Sequence, residues 1–341
     1  RYTQKQIFLD NLAIETKNSS INTNHLSLNY DSIDAFSDFL NKVHLSAEFN
    51  QTKIATKDLG YFADFFEGLE EQVDFKGNVN GTISDLHVKE MTLNYAEATK
   101  LVGDINIVGL PDLKDLHFDA KFTEIATTIE ELKSIKTPPF TENNTLQLDR
   151  KFDNLVFVKG SAEFEGTSNE FTATADLKTG AGHASGDLVM YYDSIKDKFK
   201  YNGVIAVNNV DVGRLAGVGE LGKVTTNLNI NSESNTPFHI ASISSDIHAT
   251  FDAFEFNGYT YTNIRVDGNF SNNRFQGKIT IDDPNINLVH NGVIDFSGKM
   301  PSFDFTTDIK MAHLYELNFD KSEESQIVCA TIIMNGTGNT I

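Results

Sequence analysis

Apolar and polar residues alternate over many short stretches of this chain, and this period of two restricts the fold more than any other feature. The alternation is clear at 224–231, where Val, Thr, Leu and Ile occupy every second position and Thr or Asn stands between them. It returns at 146–148, 275–281 and 303–305. Successive side chains of a β-strand point to opposite faces, so each stretch predicts a strand with one apolar and one wet face.

The clearest hairpin signal is the Asn-Gly pair at 257–258. Both central residues of a two-residue type I′ turn need a positive φ, and Asn-Gly satisfies that requirement best. With this turn, Phe256 is expected to pair with Tyr259 and Phe254 with Tyr261, all on one face.

Further Asn-Gly and Asp-Gly pairs predict turns at 80–81, 202–203, 267–268, 291–292 and 335–336. One strand and turn for about every 14 residues predicts on the order of 20–25 strands, which would make a sheet roughly 100–120 Å long. A twisted sheet of that length has to curl or be covered on its apolar face.

Few helices are expected, and all are short. One apolar stripe with helical spacing lies at 33–40, with Asp31 or Ser32 as its N-cap. A second stripe contains Leu59, Phe62, Phe66 and Leu69. A third runs from 125 to 135, before the Pro-Pro pair at 138–139, and brief helical turns are expected at 212–215 and 312–317.

The composition excludes several classes of function. Lys plus Arg is 28 and Asp plus Glu is 48, so the net charge of −20 argues against binding to nucleic acid or to an anionic membrane through a basic patch. A single cysteine, Cys329, excludes an internal disulfide and a Cys-based zinc site, and it is expected to be buried. The nine histidines are scattered, and no Gly-x-Ser-x-Gly or His-Glu-x-x-His motif is present. We therefore expect no enzyme, no metal and no cofactor.

Neither a signal peptide nor a membrane-spanning segment is expected, because no stretch approaches 18 apolar residues. The chain begins with Arg1 and ends just after a strand-like stretch at 327–334. We therefore interpret it as a fragment of a longer protein.

Two copies of one pattern lie 83 residues apart, and a weaker third copy follows 102 residues after the second. Each copy is a series of strands that ends in one helical turn. Such repeats stack into elongated structures in which each unit buries the edge of its neighbour. On this basis we divide the chain into a β-rich segment with short helices at 1–140 and a continuing segment at 141–341. The first two copies match at Lys76-Gly77 and Lys159-Gly160, Gly103-Asp104 and Gly186-Asp187, Phe118 and Tyr201, Phe122 and Ile205, Ile129 and Val212, and Leu132 and Leu215, and the third contributes Phe303, Leu314 and Leu317.

A series of short motifs resembles the TamB proteins of Bacteroidota, the translocation and assembly module family related to AsmA. The resemblance covers roughly residues 30 to 320, and the order and spacing of the motifs make it specific. The motifs are those at 109–112, 158–160, 186–188, 209–215, 221–224, 256–264, 275–277 and 281–286.

The resemblance implies a segment of a periplasmic protein that is anchored in the inner membrane in its full-length form. It implies a β-taco, an elongated antiparallel sheet whose apolar face curls into a groove. That groove would carry phospholipid between the inner and outer membranes and support outer-membrane protein assembly. The family's partner is an Omp85-type outer-membrane protein, which would bind through regions that this sequence does not contain.

A lipid groove needs a continuous apolar lining, because each methylene in water costs about 0.8 kcal/mol. The alternation in the C-terminal half predicts such a lining. The expected lining residues, which would contact phospholipid acyl chains, are Phe254, Phe256, Tyr259, Tyr261, Ile264, Val266, Phe275, Ile279, Ile281, Ile286 and Leu288.

Two other interpretations stay open at the level of sequence. The inward residues of any β-sandwich alternate in the same way, so the chain could be a structural or adhesin-like β-solenoid with a dry core. A polysaccharide-active β-helix enzyme is the weakest alternative, since no carboxylates cluster at a fixed position of the repeat.

Overall fold

The computed structural model describes residues 3–59, 68–112, 116–137, 144–148, 150–235, 244–322 and 326–338. The fold is mainly β and antiparallel, as the alternation predicts. The chain divides into two compact units, 1–180 and 181–341, which are described one after the other. The division expected between residues 140 and 141 falls inside the first unit.

Unit 1 is an antiparallel sheet in which each strand pairs with the next one in the chain. Its described helices are short: α1 (Phe39–Lys42), α2 (Thr56–Leu59) and α3 (Ile129–Ser134), with 3-10 turns at Ile33–Asp38 and Arg150–Leu155. Its strands are β1 (Gln6–Glu15), β2 (Ser20–Asn29), β3 (His44–Ala55), β4 (Gln72–Thr82), β5 (Asp85–Tyr95), β6 (Thr99–Val108), β7 (His117–Thr128), β8 (Phe157–Gly166) and β9 (Glu170–Thr179).

Unit 2 repeats this plan, with β13 pairing to both β14 and β15. Its elements are β10 (Gly182–Asp193), β11 (Lys198–Asp211), α4 (Val212–Ala216), β12 (Leu221–Ser234), β13 (Ser244–Phe256), β14 (Tyr259–Tyr261), β15 (Ile264–Ser271), β16 (Arg274–Asp283), β17 (Ile286–Asp295), β18 (Ser302–His313) and β19 (Ile327–Thr337). The described residues thus contain 19 strands, against the 20–25 that strand spacing predicts.

The hairpin between β13 and β14 forms as predicted. Phe256 pairs with Tyr259 and Phe254 pairs with Tyr261. The turn residues have φ of 50° at Asn257 and 73° at Gly258, the left-handed conformation that a type I′ turn requires.

The five other turn predictions are wrong, because all five pairs lie inside strands. At four of them, a neighbouring backbone occupies the space where a side chain would begin. A methyl group added to Gly268 would lie 2.6 Å from the carbonyl oxygen of Gln276, and additions to Gly81, Gly203 and Gly292 would come closer still. These glycines are required by close approach of adjacent strands, and not by a reversal of the chain. Gly336 has no such neighbour.

The helix predictions are correct in part. The stripe at 33–40 forms the 3-10 turn and α1, and Ser32 occupies the N-cap position. The predicted helix at 125–135 is shorter than expected, because β7 continues to Thr128 and α3 begins at Ile129. The predicted turn at 212–215 is α4. That at 312–317 starts later, since β18 continues to His313. Phe62 and Phe66 of the second stripe, and the Pro-Pro pair, lie outside the described residues.

The 83-residue repeat is confirmed element by element. Strands β4 to β7 and helix α3 occupy the same repeat positions as β8 to β11 and helix α4. Both helices have an N-cap whose side chain accepts a hydrogen bond from a backbone N–H: Thr128 from Glu131, and Asp211 from Arg214. In the third copy β18 corresponds to β11, and the turn after β18 carries Leu317, which is fully buried.

Each unit buries one face of its sheet. In unit 1 the main apolar cluster centres on Val79, Val88 and Met91, and a smaller one forms where the turn at Ile33–Asp38 packs on Tyr30 and Val43. In unit 2 the cluster centres on Tyr261, Ile264, Ile286, Ala312 and Leu317. The opposite faces carry exposed charges that make pairs such as Lys89 with Asp104. Cys329 lies exposed, contrary to the expectation that it is buried, because its position on β19 points away from the apolar face.

Candidate functional site

Unit 2 contains a cavity of about 380 Å³ whose lining is entirely apolar and aromatic. It lies where the ends of β13 to β17 meet the turn that follows β18. The lining residues are Phe251, Phe254, Phe256, Tyr261, Ile264, Val266, Ile279, Ile281, Ile286, Leu288 and Phe319.

The strand register explains why these residues meet. Phe251 pairs with Ile264, Ile264 with Ile281, and Ile281 with Leu288, so one row of side chains crosses four strands on the same face. Val266 and Ile279 form part of the next row. Cross-strand partners lie about 4.5–5.5 Å apart at Cβ, so rows of this kind make a continuous apolar floor.

Nine of the eleven predicted lining residues border this cavity, and Tyr259 and Phe275 do not. Tyr259 packs against the same cluster but turns its hydroxyl to a carboxylate. Phe275 lies farther along β16, where its ring covers Gly268 and Gly277 at the positions their side chains would take. The alternation thus places Tyr259 and Phe275 on the face of the sheet that carries the cavity, but it does not show that they lie outside the cavity itself.

Sequence reasoning missed Phe251 and Phe319. Strict alternation back from Phe254 puts Asp252 on the apolar face, but a bulge in the β12–β13 pairing between Phe251 and Ala253 changes the phase. Phe251 and Phe254 therefore both face the cavity, with their rings 6.1 Å apart and nearly perpendicular. Phe319 belongs to the turn after β18, where no periodic pattern points to it.

That turn covers one end of the cavity and is fixed to the β13–β14 hairpin. The side-chain amide of Asn257 donates to the carbonyl oxygen of Asn318 at 2.9 Å, and Asn318 returns the same bond to Asn257 at 2.9 Å. Leu317 inserts into the core, and the ring of Phe319 lies 6.4 Å from that of Phe256. The two amides thus hold the turn in the place where Phe319 borders the cavity.

A buried carboxylate organises the rim. Asp283 accepts hydrogen bonds from the Tyr259 hydroxyl at 2.5 Å, from the backbone N–H and hydroxyl of Thr262 at 2.9 and 2.8 Å, and from the Asn285 N–H at 2.9 Å. These bonds join the β14–β15 and β16–β17 connections. Each of the two carboxylate oxygens accepts two hydrogen bonds, so Asp283 is a structural support and not a free ligand.

The same contacts set the pKa values at the rim. Burial alone would raise the pKa of Asp283, but its hydrogen bonds from Tyr259, Asn285 and Thr262 outweigh burial and hold that pKa below its usual value. Burial, together with the bond to Asp283, raises the pKa of Tyr259 to about 12. Burial also raises the pKa of Tyr261. Both tyrosines are therefore neutral at physiological pH.

One polar side chain interrupts the apolar face beside the cavity. His290 pairs with Ile279 across β16 and β17, is 8% exposed, and shares a hydrogen bond of 2.8 Å between Nδ1 and the Thr307 hydroxyl. Its Nε2 is buried and has no hydrogen-bond partner among the described residues. Burial lowers the pKa of His290, so the ring is neutral at pH 7.

The lining offers burial for an apolar molecule and no reactive group. Two depressions of unit 1 differ from this cavity, because they are lined mostly by polar side chains such as Lys53, Asp74 and Asn94. Within the described ranges, no group of three or more His, Cys, Asp or Glu side chains is placed to hold a metal ion. None of the described helices is long and apolar enough to cross a membrane.

Comparison of the chain with protein-family models, with curated proteins and with solved structures finds no match in any of the three. The resemblance to TamB proteins therefore stays a prediction from the sequence. The interpretation of the cavity depends on its own geometry.

Proposed function

We propose that unit 2 binds a lipid acyl chain in the apolar cavity and that the chain acts in lipid transport rather than catalysis. The observation that carries this proposal is the lining, which contains only Phe, Tyr, Ile, Val and Leu over about 380 Å³. A cavity of about 150 Å³ holds one benzene, so this volume suits on the order of 15 carbon atoms, or one acyl chain.

The energetics favour such a ligand. Transfer of about ten methylenes from water to an apolar site gains about 8 kcal/mol before the cost of ordering the chain. None of the eleven lining residues is charged or carries an amide, and the Asp283 carboxylate at the rim already accepts four hydrogen bonds. Binding of this kind selects for chain shape and leaves the headgroup outside.

In the wider proposal, the apolar face of each unit curls into a groove of the β-taco kind. The protein would then be part of a periplasmic, inner-membrane-anchored bridge of the TamB and AsmA-like kind, which moves phospholipid to the outer membrane and supports outer-membrane protein assembly. An Omp85-type partner would bind outside this sequence. The alternation and the repeat support this view.

One observation favours the alternative of a dry structural β-solenoid. Gly268, Gly277 and Gly292 pair in a row across β15, β16 and β17, and the ring of Phe275 fills the space above the first two. At that level the apolar face is packed, so a conduit along the strands would need Phe275 to move.

Lipid extraction separates the two candidates. The purified chain is extracted with organic solvent, and bound phospholipid is measured by mass spectrometry. The double variant Val266→Phe/Leu288→Phe fills the cavity without adding charge, and Val204→Phe makes the same change at a 47% exposed position of β11. We expect near-stoichiometric lipid in the parent and in Val204→Phe, and a loss of at least tenfold in the double variant. Equal lipid in all three, or none in the parent, would reject the proposal.

A further inference from the structure

The tip of the β10–β11 hairpin differs in chemistry from the rest of this acidic chain. The tip, residues 191–200, contains three lysines and two aspartates, whereas the whole chain has 28 basic and 48 acidic residues. Ile195 lies at the centre of its turn and is 96% exposed. Tyr191 and Tyr192 stand behind it, 36% and 38% exposed.

Hydrogen bonds hold this arrangement in place. The Asp193 carboxylate accepts from the backbone N–H groups of Ile195 and Lys196 at 3.1 and 3.2 Å, which fixes the turn and directs the Ile195 side chain outward. Its other oxygen pairs with Lys200 at 3.1 Å. An isolated exposed isoleucine would be ordinary. Here, two hydrogen bonds to Asp193 fix the turn with the Ile195 side chain exposed, which favours a role for this residue in binding.

The aromatic residues support the turn from both faces of the hairpin. The Tyr192 hydroxyl donates to Asp197 at 2.6 Å, and its ring lies 5.0 Å from that of Phe199. The Lys200 ammonium lies 5.7 Å from the centre of the Tyr191 ring. Both aspartates of the tip are thus engaged within the hairpin, and Lys198 pairs with Glu233 of β12 at 3.8 Å.

We propose that the tip of the β10–β11 hairpin docks on the surface of a zwitterionic lipid bilayer. Ile195 would enter the apolar boundary, the tyrosines would lie at the depth of the headgroups, and the ammonium group of Lys196, next to Ile195 in the turn, would reach phosphate. This proposal does not depend on the cavity, which is built from β13 to β17 and the turn after β18.

Charge decides which bilayer is expected. The tip carries one net positive charge by residue count, and Glu233 of β12, which pairs with Lys198, offsets it, so the local surface is close to neutral and suits a bilayer without net charge. The whole chain carries −20, so an anionic surface would repel it within about a Debye length of 8–10 Å. Anionic lipid should therefore weaken the docking and not strengthen it.

The absence of tryptophan from the chain permits a direct test. Ile195→Trp places a single reporter at the tip, and Ile333→Trp places one at a 77% exposed position of β19 as the matched control. Phosphatidylcholine vesicles should shift the emission of the first variant to the blue, and brominated acyl chains should quench it. The control should not respond. A response that is absent from both variants, or equal in both, would overturn the proposal.

A second arm removes the influence of the added tryptophan. Sedimentation with phosphatidylcholine vesicles is measured for the parent, Ile195→Ser and Ile333→Ser, after circular dichroism shows that each variant folds. Losing the burial of one large aliphatic side chain should lower the partition of Ile195→Ser about tenfold and leave Ile333→Ser unchanged. Adding anionic phosphatidylglycerol should reduce binding of the parent.

Two results would contradict the proposed docking of the hairpin tip on lipid. A blue shift of Ile195→Trp on concentration without vesicles would identify a contact between copies of the chain and reject lipid docking. Binding that increases with anionic lipid would contradict the charge argument. The cavity-filling variant Val266→Phe/Leu288→Phe should dock like the parent, so failure of the cavity proposal and failure of the docking proposal are distinguishable.

Discussion

Replacing Asp283 with asparagine should destabilise unit 2 far more than its position near the end of a strand suggests. The carboxylate is 5% exposed and accepts four hydrogen bonds, two of them from backbone N–H groups in different connections. An asparagine side chain keeps one acceptor oxygen and puts an NH₂ group where the second oxygen stood. In either orientation, the NH₂ group of the asparagine faces a buried backbone N–H group, so two donors meet without an acceptor.

The expected loss of stability follows from the number of buried hydrogen-bond donors that are left without an acceptor. Each buried donor left without an acceptor costs about 1–3 kcal/mol, and Asp283→Asn leaves at least one backbone N–H and weakens a bond to a hydroxyl. We expect a loss of about 3 kcal/mol in the free energy of unfolding of unit 2. The adjacent Asp282→Asn is the matched control, because Asp282 is exposed and accepts from the Asn287 side chain at 2.7 Å. It should change stability by less than about 0.5 kcal/mol.

Hydrogen exchange measured by mass spectrometry reads this effect locally. Peptides that contain 259–263 and 283–287 should exchange on the order of 100-fold faster in Asp283→Asn, which corresponds to about 3 kcal/mol. The pKa of Asp283 is lowered in the folded state, so its contribution is full above the unfolded value of 3.8 and is lost as pH falls through the lower folded value. Acidification below pH 3.8 should therefore reduce the stability of Asp283→Asn less than that of the parent. Equal exchange in the two Asn variants would refute the assignment of Asp283 as the support of the rim.

Three further substitutions test other parts of the structure. Burial lowers the pKa of His290 below 6.5, so as pH falls the unfolded chain takes up a proton at this histidine before the folded chain does, and stability should fall below pH 6.5. His290→Leu should remove this contribution to the slope of melting temperature against pH. His248→Leu, which changes an exposed histidine, should keep the slope of the parent. Leu317→Ala empties a fully buried position and should lower the urea midpoint of unit 2 by an amount worth about 2–5 kcal/mol; a change below about 1 kcal/mol would contradict the core assignment. Gly277→Val places a side chain 2.5 Å from the Gly268 Cα and should disrupt β15–β16 pairing, whereas Gly336→Val meets no atom within 4 Å and should melt like the parent in circular dichroism.

The strands and the β13–β14 hairpin could be predicted because their signals are local. Alternation depends only on neighbouring residues, and the Asn-Gly pair at 257–258 specifies its own turn. Elsewhere in the chain, the same dipeptide predicted turns that do not form. At 202–203 and 291–292 a glycine is required by the backbone of the next strand, and one strand read alone does not show how near its neighbour comes.

The candidate site was predictable by face but not by position along the strand. Ile279 and Phe275 alternate on one side of β16, yet only Ile279 borders the cavity. Phe251 was missed because a bulge shifts the alternation, and Phe319 because it enters from a turn. The part of the lining that regular strands supply could be read from the sequence, whereas irregular backbone supplies the rest.

The helix expected at 125–135 illustrates a further limit. Ile125, Ile129 and Leu132 have helical spacing, but Ile125 belongs to β7, where it pairs with Gly160 of β8. The apparent stripe joins the end of a strand to the start of a helix. The repeat could have corrected this, because the equivalent positions in the second copy also change from strand to helix at Val212.

Photocrosslinking with a lipid that carries a diazirine in its acyl chain tests the central claim most directly. The lipid is bound to the purified chain, activated by light, and its adducts are located by mass spectrometry after digestion. We predict adducts concentrated on the cavity lining between residues 251 and 288 and at Phe319, and their loss in Val266→Phe/Leu288→Phe but not in Val204→Phe. Adducts spread evenly over the outer faces of the sheet, or unchanged by filling the cavity, would contradict acyl-chain binding at this site.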